Sequence, residues 1–380
     1  MATDLEQVLI DSRGETQALL SGNAQGNGYV GEPFACRGKL AWTSYYSDFD
    51  SMMQPMPRRI LVHGDVIGVV LQEDLILFGN SGKTIRSEVI GDDGLAAFGA
   101  DSYCWVTQSR QLSCRRYDGT LIIDGHAIPL LNDQSKLRLL YPLGNEFIAV
   151  RQYFSGLPVR NTPTSASAYR MTFAKSAWDW IAELEGVVKR ALVTVNDELL
   201  VVVGDAECHL YALKDGKERG ILATGTDSVV YSFVDPADRV VVFGTKLEGE
   251  FSKPVIKCLS LEGAVVWESG LLLPITNQTP ACGKAGEVYY LESGFLICLV
   301  DGVEKWRASH LPTGRSWITT CNSGEIIVTD TKTISVYSSA GNPKMQIKRP
   351  NENDSFSTPA AIAANGRLIV SGKFALYCFE

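Results

Sequence analysis

The sequence predicts an all-β chain folded as a closed β-propeller of four-stranded blades, and three observations carry that reading. A unit of roughly forty residues recurs along the chain. Glycine-centred turns mark the unit, and a segment near the N-terminus supplies the strand that the last copy lacks.

Each unit reads as an apolar strand, a short turn, a second apolar strand, a Gly turn and a strand often closed by Trp. The clearest copies are Leu199 to Gly216 (LLVVVGDAECHLYALKDG), Val288 to Gly302 (VYYLESGFLICLVDG), Ile326 to Gly341 (IIVTDTKTISVYSSAG) and Leu368 to Phe379 (LIVSGKFALYCF). Fainter copies run Val66 to Gly82, Tyr103 to Gly119 and Val240 to Gly263. Turn glycines at 82, 119, 216, 263, 302 and 341 lie 37 to 47 residues apart, except for a gap of 97 between 119 and 216. That gap holds about two blades and an insertion by the same repeat length. Its missing turn is expected near Ala174-Lys175-Ser176, where glycine is absent.

The chain ends at Glu380, where another Gly turn is due. Cys36-Arg37-Gly38-Lys39-Leu40-Ala41-Trp42 provides that turn and an outer strand without inner strands before it. Joining the two ends closes the ring and removes the strand edge between first and last blades. Counting the joined blade gives eight; seven is the alternative if residues 120–190 form one irregular blade. Residues 1–35 are expected as an N-terminal arm and 36–380 as a single propeller domain. Glu183-Leu184-Glu185 is the one tract read as helical.

Composition sets the class of function. Net charge is −8 with a pI near 5.2, which disfavours phosphate backbones and anionic lipid, so neither nucleic acid nor membrane is an expected partner. Asp4 and Glu6 stand where a secretory signal needs basic and apolar residues, and a cytoplasmic location is expected. Nine cysteines, odd in number and mostly within apolar runs, read as reduced buried thiols.

Leu210-Tyr211-Ala212-Leu213-Lys214-Asp215-Gly216, together with the Gly-x-x-x-Trp segments Gly38 to Trp42, Gly263 to Trp267 and Gly302 to Trp306, resembles the PQQ-like, or quinoprotein alcohol dehydrogenase-like, propeller repeat. The resemblance covers about residues 36 to 380. It implies a propeller in which each such Trp docks between neighbouring blades. Arg86, Ile123, Gly220 and Met345 occupy that position in other blades. Family enzymes commonly carry adjacent cysteines over the quinone and carboxylates on calcium or a lanthanide; this sequence has no adjacent Cys pair, so the resemblance is to the non-enzymatic members, and no cofactor is expected. WD-repeat propellers match less well, since Gly125-His126 and Trp178-Asp179 each stand alone.

Catalytic groupings are sparse. His63, His126, His209 and His310 have no metal-ligand spacing, and strand alternation sends Cys208 and His209 to opposite faces. Gly91-Asp92-Asp93-Gly94 lacks the further oxygen ligands of a calcium loop and reads as a surface turn. The excursions 151–167 and 246–253 stand out as long loops expected on one face of the disc. Long loops are commonly functional, and exposed aromatics beside Arg are enriched at interface hot spots. Tyr153, Phe154, Arg160, Lys246, Glu250 and Phe251 are therefore the candidate partner-binding residues of a non-catalytic scaffold. Its partner would be a protein, such as a component of a multi-protein machine or a toxin held inactive. The plainer alternative has both loops folding back on the blades. A rival reading places an enzyme or ligand site in the central channel, lined by Arg138, Arg190, Asn277, Arg315 and Ser357.

Overall fold

Eight antiparallel four-stranded ladders account for almost every strand of the computed structural model. It describes residues 29–46, 57–71, 73–91, 96–99, 101–107, 111–127, 135–143, 146–155, 162–172, 177–185, 187–249, 251–275, 278–312 and 314–380. Blades 1 to 7 take residues 59–89, 96–127, 135–185, 190–223, 228–270, 281–309 and 316–348 in chain order. Blade 8 takes its three inner strands from residues 361–379, and its outer strand is Leu40–Tyr45. The two ends pair antiparallel in the register Leu40↔Phe379 to Tyr45↔Ala375. Lys39 and Glu380 exchange backbone hydrogen bonds of 3.1 and 2.8 Å just beyond it. The eight-blade count and the closure expected from the sequence therefore both hold.

The reason the strands form a ring lies in their side-chain alternation. The run Leu200-Val201-Val202-Val203 is apolar throughout because both faces of a blade are covered. Leu200 and Val202 enter the seam with blade 3, whereas Val201 and Val203 enter the seam with blade 5. Repeated around the disc, this gives eight apolar clusters, one at each seam, including the seam between blades 8 and 1.

The turn glycines that mark the repeat act at those seams. All six have left-handed φ, between +68° and +93°. At Gly82 the need for glycine is twofold: φ is +78°, and a Cβ would lie 2.6 Å from the ring of Trp42 in the preceding blade. The Trp42 indole Nε1 donates to the Asn80 carbonyl at 2.9 Å, which fixes the ring over the turn. Trp180, Trp267 and Trp306 lie over Gly216, Gly302 and Gly341, and Trp180 and Trp306 likewise donate through Nε1 to the carbonyls of Leu213 and Ser339. Arg86 takes this place over Gly119, and Met345 over Gly38.

Two expectations change in blade 3. Glu183-Leu184-Glu185 lies in the outer strand Ala177–Glu185, not in a helix. Trp180 and Leu184 are buried while Ile181 is about half exposed, a period of two set by pairing with Thr162–Thr172. The excursion 151–167 is also largely strand. Glu146–Ser155 and Thr162–Thr172 stay paired out to Ser155↔Thr162, so a ribbon replaces most of the expected loop. The turn expected at 174–176 lies outside the described residues.

Residues ahead of the outer strand run across the disc. Tyr29–Val30 adds in parallel to the innermost strand of blade 7, with Tyr29 opposite Thr320. The chain then passes outward: Asn322 N donates to Glu32 O, Phe34 N to Ser323 Oγ and Ala35 N to Gly366 O. Gln278–Thr279 pairs with the other end of the same blade 7 strand, at Ser316.

Two outcomes test this architecture. Deleting residues 36–45 exposes the edge of Ala375–Phe379 and is expected to move the chain into aggregate on sizing chromatography; an unchanged elution volume with an unchanged melting curve would contradict the closure. Trp180→Ala, which empties a seam, is expected to cost about 3–5 kcal/mol in chemical denaturation.

Candidate partner-docking face

A four-stranded meander sends its blade-to-blade connectors and the hairpin between its two middle strands to the same face of the disc. That connector face carries both ribbons. In blade 5, Val240–Glu248 and Phe251–Leu259 stay in register out to Glu248↔Phe251. Their inner neighbour stops opposite Thr245 and their outer neighbour opposite Val255, so residues 246–254 project as a two-stranded ribbon, where a loop was expected. The ribbon is held at its base: Leu247 N donates to the Asp227 carboxylate and Leu271 N to Pro254 O at 3.0 Å. Lys253 and Glu248 pair across it at 3.4 Å.

At the tip Phe251 is 78% exposed, and Leu247, on the other face of the ribbon, is also exposed. The connector that follows blade 5 turns Leu272 and Leu273 outward, at 74% and 60% exposure. Glu292 holds this backbone in place, its Oε1 accepting from Leu272 N at 2.7 Å and from Leu273 N at 3.3 Å. A hollow of about 170 Å³ opens next to it, lined by Leu273, Pro274, Leu291, Gly294 and Pro312 among others. Gln278 braces its wall with an amide that donates to Leu291 O and accepts from Leu291 N. Leu311 lies on the blade 7 side of the hollow at 79% exposure, beside Gly294. Other exposed aliphatic residues, such as Ile85, Ile221 and Val303, lie on outer strands of different blades, the ordinary scatter of a protein surface.

His310 anchors the base of Leu311. Its backbone N donates to Gly294 O at 2.8 Å, and its Nδ1 lies 2.9 Å from the Tyr337 hydroxyl. Burial holds the imidazole below its ordinary value, with Asp330 acting in the opposite direction.

The residues singled out in the sequence fall in two places. Lys246 and Phe251 belong to the blade 5 ribbon, Lys246 half-buried and opposite Lys253. Tyr153 belongs to the blade 3 ribbon and is half-buried, with the Arg151 guanidinium 3.7 Å from its ring centroid. Phe154 pairs in register with Pro163. Arg160 and Glu250 lie outside the described residues, as do Asp92, Asp93 and Asn277. Leu247, Leu272, Leu273 and Leu311 were not singled out. Their signal was an apolar triplet, Leu271-Leu272-Leu273, followed by Pro274 in a connector where no strand is due.

The central channel presents a different surface. A cavity of about 410 Å³ at the turn-bearing face is lined by Val30, Glu32, Ile60, His63, Thr319 and Ile362, among others. Arg138, Arg190, Arg315 and Ser357 do not line it. Arg190 stacks over Tyr231 at 3.9 Å and is buried. His63 stacks on Tyr117, and His209 sits between Glu207 and Glu218 at 3.1 and 2.8 Å. All nine cysteines are buried free thiols.

The ladders and seams define an eight-bladed β-propeller. No family model matches the chain, and no curated protein matches it. Among solved structures it is similar to the "WD40 beta propeller domain of Doa1", at 12% identity over 90% of this chain and 96% of that one, with a TM-score of 0.48. Blade count and closure rest on the strand ladders alone.

Two measurements check this description. Phe251→Ala should leave stability within about 0.5 kcal/mol of the parent, since the ring packs on little. His310 gives a pH dependence: an unfolded imidazole titrates near ~6.5 and the buried one lower. Its contribution is therefore present above that pH and lost as the pH falls, because the unfolded state takes up the proton first. His310→Asn should flatten the melting-temperature profile between neutral and mildly acidic pH; an unaltered profile would contradict the assignment.

Proposed function

We propose that this chain is a non-catalytic interaction scaffold of the PQQ-like, non-enzymatic type, acting in the cytoplasm and docking a protein partner on its connector face. The observation that carries the reading is the group of exposed apolar residues on this face, Phe251 and Leu247 on the ribbon and Leu272, Leu273 and Leu311 around the hollow. The fold buries its apolar strand residues in eight seams, so a group of this kind away from any seam is what a binding surface looks like. Aromatic and aliphatic anchors beside a hollow are the usual centre of an interface, and the charges of Lys246, Glu248 and Lys253 suit its rim. The blade 3 ribbon rises from the same face and would extend the contact towards Tyr153 and Phe154. The family placement is supported by the Leu210 to Gly216 segment and by the Trp rings docked over turn glycines.

Photo-crosslinking in the native host tests the proposal. A photoreactive residue at 251 or 311 should capture the same protein, and one at Val195, exposed on the turn-bearing face, should not. Equal capture from position 195, or none from 251 and 311, would overturn it.

The channel cavity favours a second reading, a ligand-binding protein that uses the mouth of the channel. A ligand bound there would raise the melting temperature with concentration, and His63→Ala would abolish that rise.

A further inference from the structure

Blade 2 contains two cysteines that strand pairing sets face to face. Cys104 lies in the strand Ser102–Val106, Cys114 lies in Gln111–Arg116, and the register makes them direct partners. Thr107 N donates to Gln111 O at 2.8 Å, so 107 and 111 occupy a hydrogen-bonded position of the ladder. Counting inward, 106 with 112 and 104 with 114 fall at non-hydrogen-bonded positions, where the Cα atoms approach to about 4.5 Å and the side chains are closest. The two Sγ atoms are 2.8 Å apart. Both side chains are fully buried within the seam between blades 2 and 3, among Leu112, Leu140, Phe147 and Met171.

We propose that Cys104 and Cys114 form a reversible cross-strand cystine when the protein meets a disulfide oxidant. In this exchange, the thiolate of one cysteine attacks a sulfur of a small disulfide, forming a mixed disulfide and releasing one thiolate. The second cysteine thiolate attacks the protein sulfur of that mixed disulfide, forming the Sγ–Sγ bond and expelling the second thiolate. The oxidant is thereby reduced to two thiols, which take up the two protons lost by the cysteines. Neither strand has to shift register.

Two properties follow from the site. A Cα separation of about 4.5 Å is at the short end of the range that disulfides span, so reduction should be easy. Burial pushes the Cys104 thiol well above its ordinary value, followed in importance by its contact with Cys114. Folded Cys104 is therefore a poor nucleophile, both thiols are closed off from solvent, and exchange depends on transient opening of the blade. The cystine would tie the two middle strands of blade 2 together in the seam, so its presence would report the thiol–disulfide balance that the chain met while folding or opening.

Peptide mapping of the full chain tests the inference. The protein is incubated with oxidised glutathione, in buffer and in urea below the unfolding transition, then alkylated, unfolded and digested with trypsin. Cleavage at Arg110 separates the two cysteines, so a cystine appears as residues 87–110 linked to residues 111–115. The expected result is that this linked pair is the main disulfide, forms at least ten-fold faster in urea, and is lost on mild reduction. Cys114→Ser should replace it with a glutathione adduct or a free thiol at Cys104. If that variant does not fold, the unsubstituted chain still decides the question: alkylated Cys104 and Cys114 after prolonged oxidation, or separate glutathione adducts on each, would overturn the proposal.

Discussion

The pairing of Leu40–Tyr45 with Ala375–Phe379 is the contact on which the rest of the molecule depends. Each blade is a sheet with two apolar faces, and both are covered only when a neighbour stands on each side. Seven blades can satisfy one another in sequence, but the first and last are left with a bare face each until the chain ends meet. Pairing across 330 or more residues, from Tyr45 to Ala375 at the least, is costly in loop entropy, although that cost grows only slowly with length. The return is large: completing blade 8 brings Trp42 over Gly82 and completes the apolar seam between blades 8 and 1. Burial of each fully enclosed Leu, Ile, Val or Phe in such a seam contributes about 1.5–3 kcal/mol.

Much of this was legible because the turn chemistry and the seam chemistry coincide. A glycine at 82, 216, 302 or 341 is required both for its left-handed backbone and for the ring that lies against it, so the repeat shows as glycine spacing even where strand sequences differ. Blade 3 was harder to read for the same reason. Its turn has no glycine, its outer strand has Trp178 and Trp180 two residues apart, and Glu183-Leu184-Glu185 resembles a helical tract in composition. Pairing with Thr162–Thr172 overrides that local preference.

The ribbons and the exposed apolar residues were less visible still. A strand that projects beyond its blade has no seam to fill, so residues 246–254 carry lysine, glutamate, serine and proline with no apolar alternation, a composition that reads as loop. Backbone pairing alone makes it a ribbon. The Leu271-Leu272-Leu273 triplet, conversely, reads as the end of a strand, and only the Glu292 contacts to the backbone of Leu272 and Leu273 show why two of the three point outward. On the proposed reading, binding is concentrated where the repeat pattern stops, on connectors and hairpins held by a disc whose own residues are occupied with packing.

Native-state hydrogen exchange on the full chain tests the central claim most directly. If Leu40–Tyr45 closes the ring, amides of Ala375–Phe379 should be protected to the same degree as those of the buried middle strand Leu199–Val203, and should exchange with them in one cooperative unit. Protection in blade 4 combined with rapid exchange in Ala375–Phe379 would mean an open ring, and would contradict the account.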